Sequence, residues 1–326
     1  MRSSTLPLLL LSACGVLGGH SAEERDQLAR YKQNAGVYFL GDRWDQALDM
    51  AHKGLAIEPD DYDLLVTAGL CSLQLAGDDA GVLQTAESPL ERAFAQRRFD
   101  DNRPEALLGY ATVKQRLGRE HAQRADALAR ELERADLSPN DRVRKESQTN
   151  EHRVRSLALW SEARRALNAL LERQELLRYA HKQLMEIAAE LNEYDAAIEH
   201  GDKCLAQNRI AQDRANLVIK ETMDGAEEIR MRGQFQELLD QEKRVRSALA
   251  EMHFRTKHFD RAVKELDALL ALDPTRSADY YNRGRALEQL DRREDARRDY
   301  EKFLYTTSLP ASDERVAHAA RSTQRK

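Results

Sequence analysis

The chain reads as an all-α protein, a solenoid of antiparallel helix pairs with longer helices in its middle. Three observations predict this. Ala, Leu, Glu, Arg and Gln dominate, all good helix formers, while the 326 residues include only 15 Gly and 7 Pro. Charged residues make up 33% against 6% aromatic, and mean hydropathy is -0.70, so surface is plentiful and large core residues are few. That balance suits an array in which each unit buries one face against its neighbours. Finally, a self-similar pattern recurs near the C-terminus with a period of 34 residues.

Along the chain, Met1-Arg2 gives a positive start, followed by the apolar run Leu6 to Leu11 and then Leu11-Ser12-Ala13-Cys14. These are the parts of a secretory signal. The run is too short to span a bilayer, which needs about 20 apolar residues. Leu-Ser-Ala-Cys resembles the bacterial lipobox. The resemblance implies that residues 1–13 are removed, that Cys14 becomes the acylated N-terminus, and that residues 14–27 form a tether. Several acyl chains there would anchor stably, where one alone binds only marginally. Gly15, rather than an aspartate, follows the cysteine. By the same resemblance this implies the outer membrane of a Gram-negative envelope, facing the periplasm. The alternative is an ordinary signal cut near Ser21 or Ala22, which leaves a soluble secreted or periplasmic protein.

Residues 28–138 form the N-terminal group of units. Trp44-Asp45-Gln46-Ala47 leads to Pro59, fifteen residues after the aromatic. In the C-terminal pair, residues 243–308, Phe259-Asp260-Arg261-Ala262 leads to Pro274 at the same spacing, and Ala262 and Ala296 are 34 residues apart. Gly284 and Ala250 are separated by the same interval. Leu28–Asp61 and Arg244–Ser308 resemble tetratricopeptide repeat (TPR) units. Small residues on both helices of a hairpin let them approach closely, the aromatic wedges between units, and Pro stops the second helix.

Between these regions the pattern loosens. Leu64–Ala76, with Gly69, reads as a first helix, Ala106–Leu117 as another, and Ala122–Leu132 as its partner. Gly77-Asp78-Asp79 and Ser88-Pro89 read as an irregular connection. Residues 139–242 form a long-helix, degenerate TPR-like region, in which Tyr194-Asp195-Ala196-Ala197 repeats the aromatic-Asp-x-Ala signature. Apolar residues from Trp160 to Leu191, spaced three and four, suit a pair of long solenoid helices or a coiled-coil protrusion. Asp213–Arg232 and Gln234–Lys257 read as helices broken at Gly233. Residues 309–326, with Ser312 or Asp313 as N-cap, read as a polar capping helix and tail.

No nucleophile elbow, phosphate loop, dinucleotide fingerprint or metal-ligand spacing is present. His253 and His258 are five apart, on different faces of a helix. Cys71 and Cys204 lie where a small apolar residue is expected and read as buried thiols. Asp45, Asp195, Asp260 and Glu294 recur at the start of second helices, where an acid suits the helix dipole. No catalysis, cofactor, metal or small-molecule substrate is expected. With 51 basic and 56 acidic residues mixed along the chain, no nucleic-acid footprint is expected either. An enzyme or regulator built on a helical array is the third alternative.

What the resemblance implies is partner binding. TPR arrays present their first helices as a concave groove for peptides or protein segments. On the C-terminal pair that face carries Arg244, Glu251, Arg255, Tyr281, Arg285 and Gln289, with Ser247, Phe254 and Glu288 beside them. The chaperone-type carboxylate clamp is not expected, because Lys32 could begin it but Gly36 stands where that clamp needs Asn. The expected role is a membrane-tethered adaptor that assists assembly of an envelope complex. Cys14→Ser is expected to abolish incorporation of radiolabelled palmitate; label that survives the substitution removes the anchor from this site.

Overall fold

The computed structural model describes residues 20–77, 79–97, 102–133 and 137–324, so Cys14 and the lipobox lie outside the described residues. Thirteen helices and no strand occur among those residues. None of these helices is long and apolar enough to cross a membrane. The chain clusters into two compact units, residues 1–96 and 97–326. The border expected near residue 138 falls inside the second.

The first unit holds α1 (Ala22–Leu40), α2 (Trp44–Ile57), α3 (Tyr62–Leu75) and α4 (Ala80–Gln96), paired as two hairpins. Ser21 and Glu24 open α1 with a capping box. Trp44 meets Phe39 edge-on across the first turn, with ring centroids 5.2 Å apart. Pro59 follows the end of α2 by two residues, as a helix stop should. Ser88-Pro89 does not interrupt the chain: Pro89 sits inside α4. Leu83, Ala86, Leu90 and Ala93 are buried along one face, and that burial carries the helix through the lost N–H.

The second unit holds α5 (Pro104–Leu132), α6 (Pro139–Glu172), α7 (Leu177–Glu190), α8 (Tyr194–Glu221), α9 (Gly225–Arg255), α10 (Phe259–Leu272), α11 (Ser277–Gln289), α12 (Arg293–Thr306) and α13 (Glu314–Gln324). Two expectations are corrected here. Ala106–Leu117 and Ala122–Leu132 are not partners but one helix, α5, whose partner is α6. Gly118 does not end it, because the indole of Trp160 fills the space beside this glycine and donates Nε1–H to the Gln115 carbonyl at 3.2 Å. The break expected at Gly233 lies instead at residues 222–224, where Asp224 caps α9 by accepting from Ala226 N at 2.9 Å. At the C-terminus, Asp313 accepts from Arg315 N at 2.9 Å and α13 lies against α12.

One turn recurs in four hairpins. Asp42, Asn192, Lys257 and Asp291 all take the left-handed conformation, with φ of 55°, 59°, 62° and 56°. In each, the next residue donates its N–H five residues back: Arg43 to Tyr38, Glu193 to Ala188, His258 to His253 and Arg292 to Leu287, at 2.8–3.0 Å. This is the Schellman closure, which satisfies the last carbonyls of the first helix and turns the chain into the second.

Close approach holds the hairpins together. A Cβ at Gly284 would fall 2.7 Å from the Tyr300 ring, one at Gly118 2.5 Å from Trp160 Nε1, and one at Gly201 2.6 Å from a Leu249 methyl. Ala47, Ala197 and Ala262 are wholly buried at the corresponding places on second helices. Arg283 then ties three helices, donating to Asp299 at 2.6 and 2.7 Å and to Asp267 at 2.7 Å; these bonds to Asp299 chiefly hold its pKa above the usual arginine range. Cys71 and Cys204 are buried free thiols, with pKa values raised by burial to about 12 and about 11.

Histidine pairs bridge two hairpins, His121 Nδ1 to His152 Nδ1 at 2.8 Å and His181 Nδ1 to His200 Nδ1 at 3.0 Å. Each pair shares one proton, so a second has no place in either bond. Burial, then the neighbouring His200 and Lys203 and against them Glu199, takes His181 down to about 4. A depressed histidine is neutral when folded while the unfolded chain takes up a proton below its ordinary pKa near 6.5. Stability is therefore fully present above about pH 6.5 and declines as pH falls towards 4. Urea unfolding between pH 7.5 and 5 should show this decline, with a shallower slope in His181→Gln. In the same assay Gly118→Ala should lower stability by about 1–3 kcal/mol through overpacking. Gly233→Ala, with nothing within 4 Å in a helix interior, should raise it by about 0.5–1 kcal/mol.

Candidate partner-binding groove

The first helices of three successive hairpins in the second unit are α7, the C-terminal half of α9, and α11. On α9, Ser247, Ala248, Glu251 and Arg255 lie three, four, seven and eleven residues after Arg244 and so share one face with it. Three adjoining clefts follow this face. One of about 360 Å³ lies between α7 and α9, with Glu186 and Glu190 on one wall and Glu251 and Arg255 on the other. A second, of about 330 Å³, opens beside Arg244, Ser247 and Arg276. The third, of about 390 Å³, has Ala250, Phe254 and Leu266 beneath Asn282 and Arg285. Glu251 borders all three.

Charge along this face is partly balanced and partly open. Arg255 donates to Tyr194 Oη at 3.0 Å and to Glu251 at 2.7 Å, and these bonds raise its pKa. Arg119 of α5 pairs with Glu190 at 2.9 Å. Glu186 accepts from Gln115 at 2.7 Å and pairs with Lys182 at 2.8 Å. Arg244 and Arg285, both exposed, have no carboxylate in ion-pair contact among the described residues. The Arg285 guanidinium lies over the Phe254 ring, 4.9 Å from its centroid. Stacking holds the planar fork in place and leaves its N–H edge available for a carboxylate or a backbone carbonyl.

Arg244, Glu251, Arg255 and Arg285 thus line one continuous set of clefts, as does Ser247. Tyr281 does not. It is buried, and its ring meets Tyr300, Phe303 and His318 at centroid distances of 5.8, 5.1 and 5.8 Å. The reason is register: Tyr281 stands three residues before Gly284, on the face turned towards α12. Gln289 is exposed but borders none of the three clefts, and Glu288 accepts from Ser322 of α13 at 3.0 Å. Lys32 pairs with Asp61 inside the first unit.

Sequence reasoning missed Asn282, Arg119 and the two α7 glutamates. The 34-residue interval already carried a signal for the first, because Asn282 and Ala248 are related by it, as are Arg285 and Glu251. Nothing comparable marked Arg119, which reaches the groove only because α5 lies against α7.

Stacked helix hairpins with small residues at their crossings make the fold a TPR-like α-solenoid. Residues 280–306, most of α11 and α12, match the tetratricopeptide repeat family model. Among solved structures, the chain is similar to the C-terminal part of a TPR repeat-containing protein from Cytophaga hutchinsonii, at 13% identity and a TM-score of 0.50 over 90% of this chain and 93% of that one. It is also similar to pilF of Pseudomonas aeruginosa, at 11% identity and a TM-score of 0.50 over 92% of this chain and 99% of that one. At these identities the likeness is one of fold. No curated protein matches the sequence.

The placement of α11 residues is open to test by urea unfolding. Tyr281→Ala should lower stability by about 3 kcal/mol, as an aromatic core truncation does. Asn282→Ala, one residue on, should change it by less than about 0.5 kcal/mol.

Proposed function

We propose that this protein is a non-catalytic scaffold that holds an extended segment of a partner protein along the α7–α9–α11 face. The observation that carries the reading is the pair Arg244 and Arg285. Both are exposed and have no acidic partner among the described residues, and they stand on a run of clefts about three helices wide. Scaffold surfaces of this kind use arginine and a buried aromatic as anchors. Here Phe254 under Arg285 supplies an apolar floor, and Asn282 and Ser247 offer hydrogen bonds to a peptide backbone. The paired charges beside them, Arg255 with Glu251 and Arg119 with Glu190, set the register of the segment without supplying net charge.

The same proposal places the protein in the bacterial envelope, tethered to the outer membrane through a lipid on Cys14, where it assists assembly of an envelope complex. Leu11-Ser12-Ala13-Cys14 supports the address and the helix-hairpin array supports the role.

The test is crosslinking in membranes followed by purification of the protein with its partners. Arg285→Glu is expected to reduce recovery of the principal partner by about tenfold, because reversing an anchor charge weakens its contact and repels the acidic group. Circular dichroism should be unchanged, since Arg285 is exposed. Undiminished recovery with Arg244→Glu/Arg285→Glu would remove the groove from the proposal.

A further inference from the structure

A further cleft of the second unit, about 510 Å³, is distinct from the groove, and the two share no lining residue. It owes its existence to helix length. α10 and α12 have 14 residues each, whereas α8 has 28 and α9 has 31, so the far halves of α8 and α9 project together as an arm. Along the arm, Gln207, Ile210, Ala211, Arg214, Ala215 and Val218 of α8 form one unbroken stripe at alternating steps of three and one. From residue 207 to 218 the stripe is about 16 Å long, three helical turns. Met231 and Gln234 of α9 form one wall, and Leu176, Leu177 and Tyr179 at the start of α7 close one end.

That end is strained. Gln174, with φ of 56°, closes α6 as the four hairpin turns close their first helices, Glu175 donating to the Leu170 carbonyl at 3.0 Å. Leu176, two residues on, also takes the left-handed conformation, with φ of 47°, and a leucine there carries a penalty of about 1–2 kcal/mol. The strained turn places Leu176 in the cleft wall, and strain of this kind points to a functional constraint.

The charge of the cleft is one-sided. No Asp or Glu lines it, whereas Arg178 and Arg214 both do. Neither has a carboxylate in ion-pair contact among the described residues; Arg178 instead donates to Tyr179 Oη at 2.6 Å and lies over that ring. Tyr179 and Ile210 are nearly half exposed, and Leu217, Met223 and Ile229 stand exposed further along the arm. Two antiparallel helices whose largely apolar seam carries Arg214, with Arg178 at the end closed by α7, are two sides of a three-helix arrangement.

We infer that the arm is a second docking site, which takes an amphipathic helix of a partner protein whose apolar stripe is flanked by acidic residues. Its stripe would lie on Ile210, Ala211, Ala215 and Val218, and its carboxylates would meet Arg178 and Arg214. The site acts independently of the groove, so one chain can hold two segments at once.

Fluorescence anisotropy with designed, fluorescein-labelled helices of about five turns tests this. One probe has a leucine stripe flanked by Glu, one the same stripe flanked by Lys, and one the scrambled Glu composition. Saturable binding of the Glu-flanked helix is expected, weakened about tenfold by Arg214→Glu and by Ile210→Asp and unchanged by Arg285→Glu. The Lys-flanked helix should prefer Arg178→Glu/Arg214→Glu. Because these side chains are at least partly exposed, circular dichroism should confirm intact variants. The inference is overturned if the Glu-flanked helix does not bind, if the scrambled probe binds equally, or if neither cleft variant weakens binding. It is equally overturned if sedimentation shows a dimer that Ile210→Asp dissociates, because a second copy of the chain would then cover the arm.

Discussion

Gly284 against the Tyr300 ring and Gly118 against the indole of Trp160 leave no room for a methyl group, and this closeness is what the helix pairs are built on. With so few aromatic residues, the chain cannot hold its helices apart and fill the gap with bulk. It brings backbones together instead, so that one large side chain from the facing helix covers the contact. The wholly buried Ala47, Ala197 and Ala262 serve the same purpose from the other helix. Each contact is local to a hairpin or its neighbour, so stability is distributed and no single core governs the protein.

The recurring Schellman turns depend on the same spacing. Asp42, Asn192, Lys257 and Asp291 accept a left-handed backbone so that the second helix starts where its small residue can meet the first. Only when the hairpins repeat with this geometry do α7, α9 and α11 present matched faces. The groove is a by-product of stacking: its floor is what close packing leaves over, and its chemistry resides in residues with no structural duty, chiefly Arg244 and Arg285. Tyr281 shows the converse, a residue that looks suited to recognition but is taken up by the hairpin interior.

The long helices alter this economy. Where α5 and α6, and then α8 and α9, run past the length a repeat needs, they leave the stack and must pack on each other alone. In the α8–α9 pair, Asn208 donating to the Leu238 carbonyl at 2.9 Å helps to pin the register, as the Trp160 indole does between α5 and α6. The arm of α8 and α9 then offers a surface that a regular array of 14-residue helices does not have.

Much of this was legible in the residues. Composition and the 34-residue interval determine an all-α array of hairpins, because helix propensity and contact size act locally and repeat. Pro59 and Pro274 mark true helix ends, and Arg244, Glu251, Arg255 and Arg285 can be placed on one face by counting turns. Helix continuity was not legible. Whether Gly118, Gly233 or Pro89 breaks a helix depends on what the partner helix puts beside it, an indole, open solvent or a buried stripe, and local propensity contains no record of that. The fate of Tyr281 and the contribution of Arg119 were likewise decided by neighbours distant in sequence. Burial and charge balance belong to the assembled surface, and only the tertiary structure determines which side chains are left free to bind.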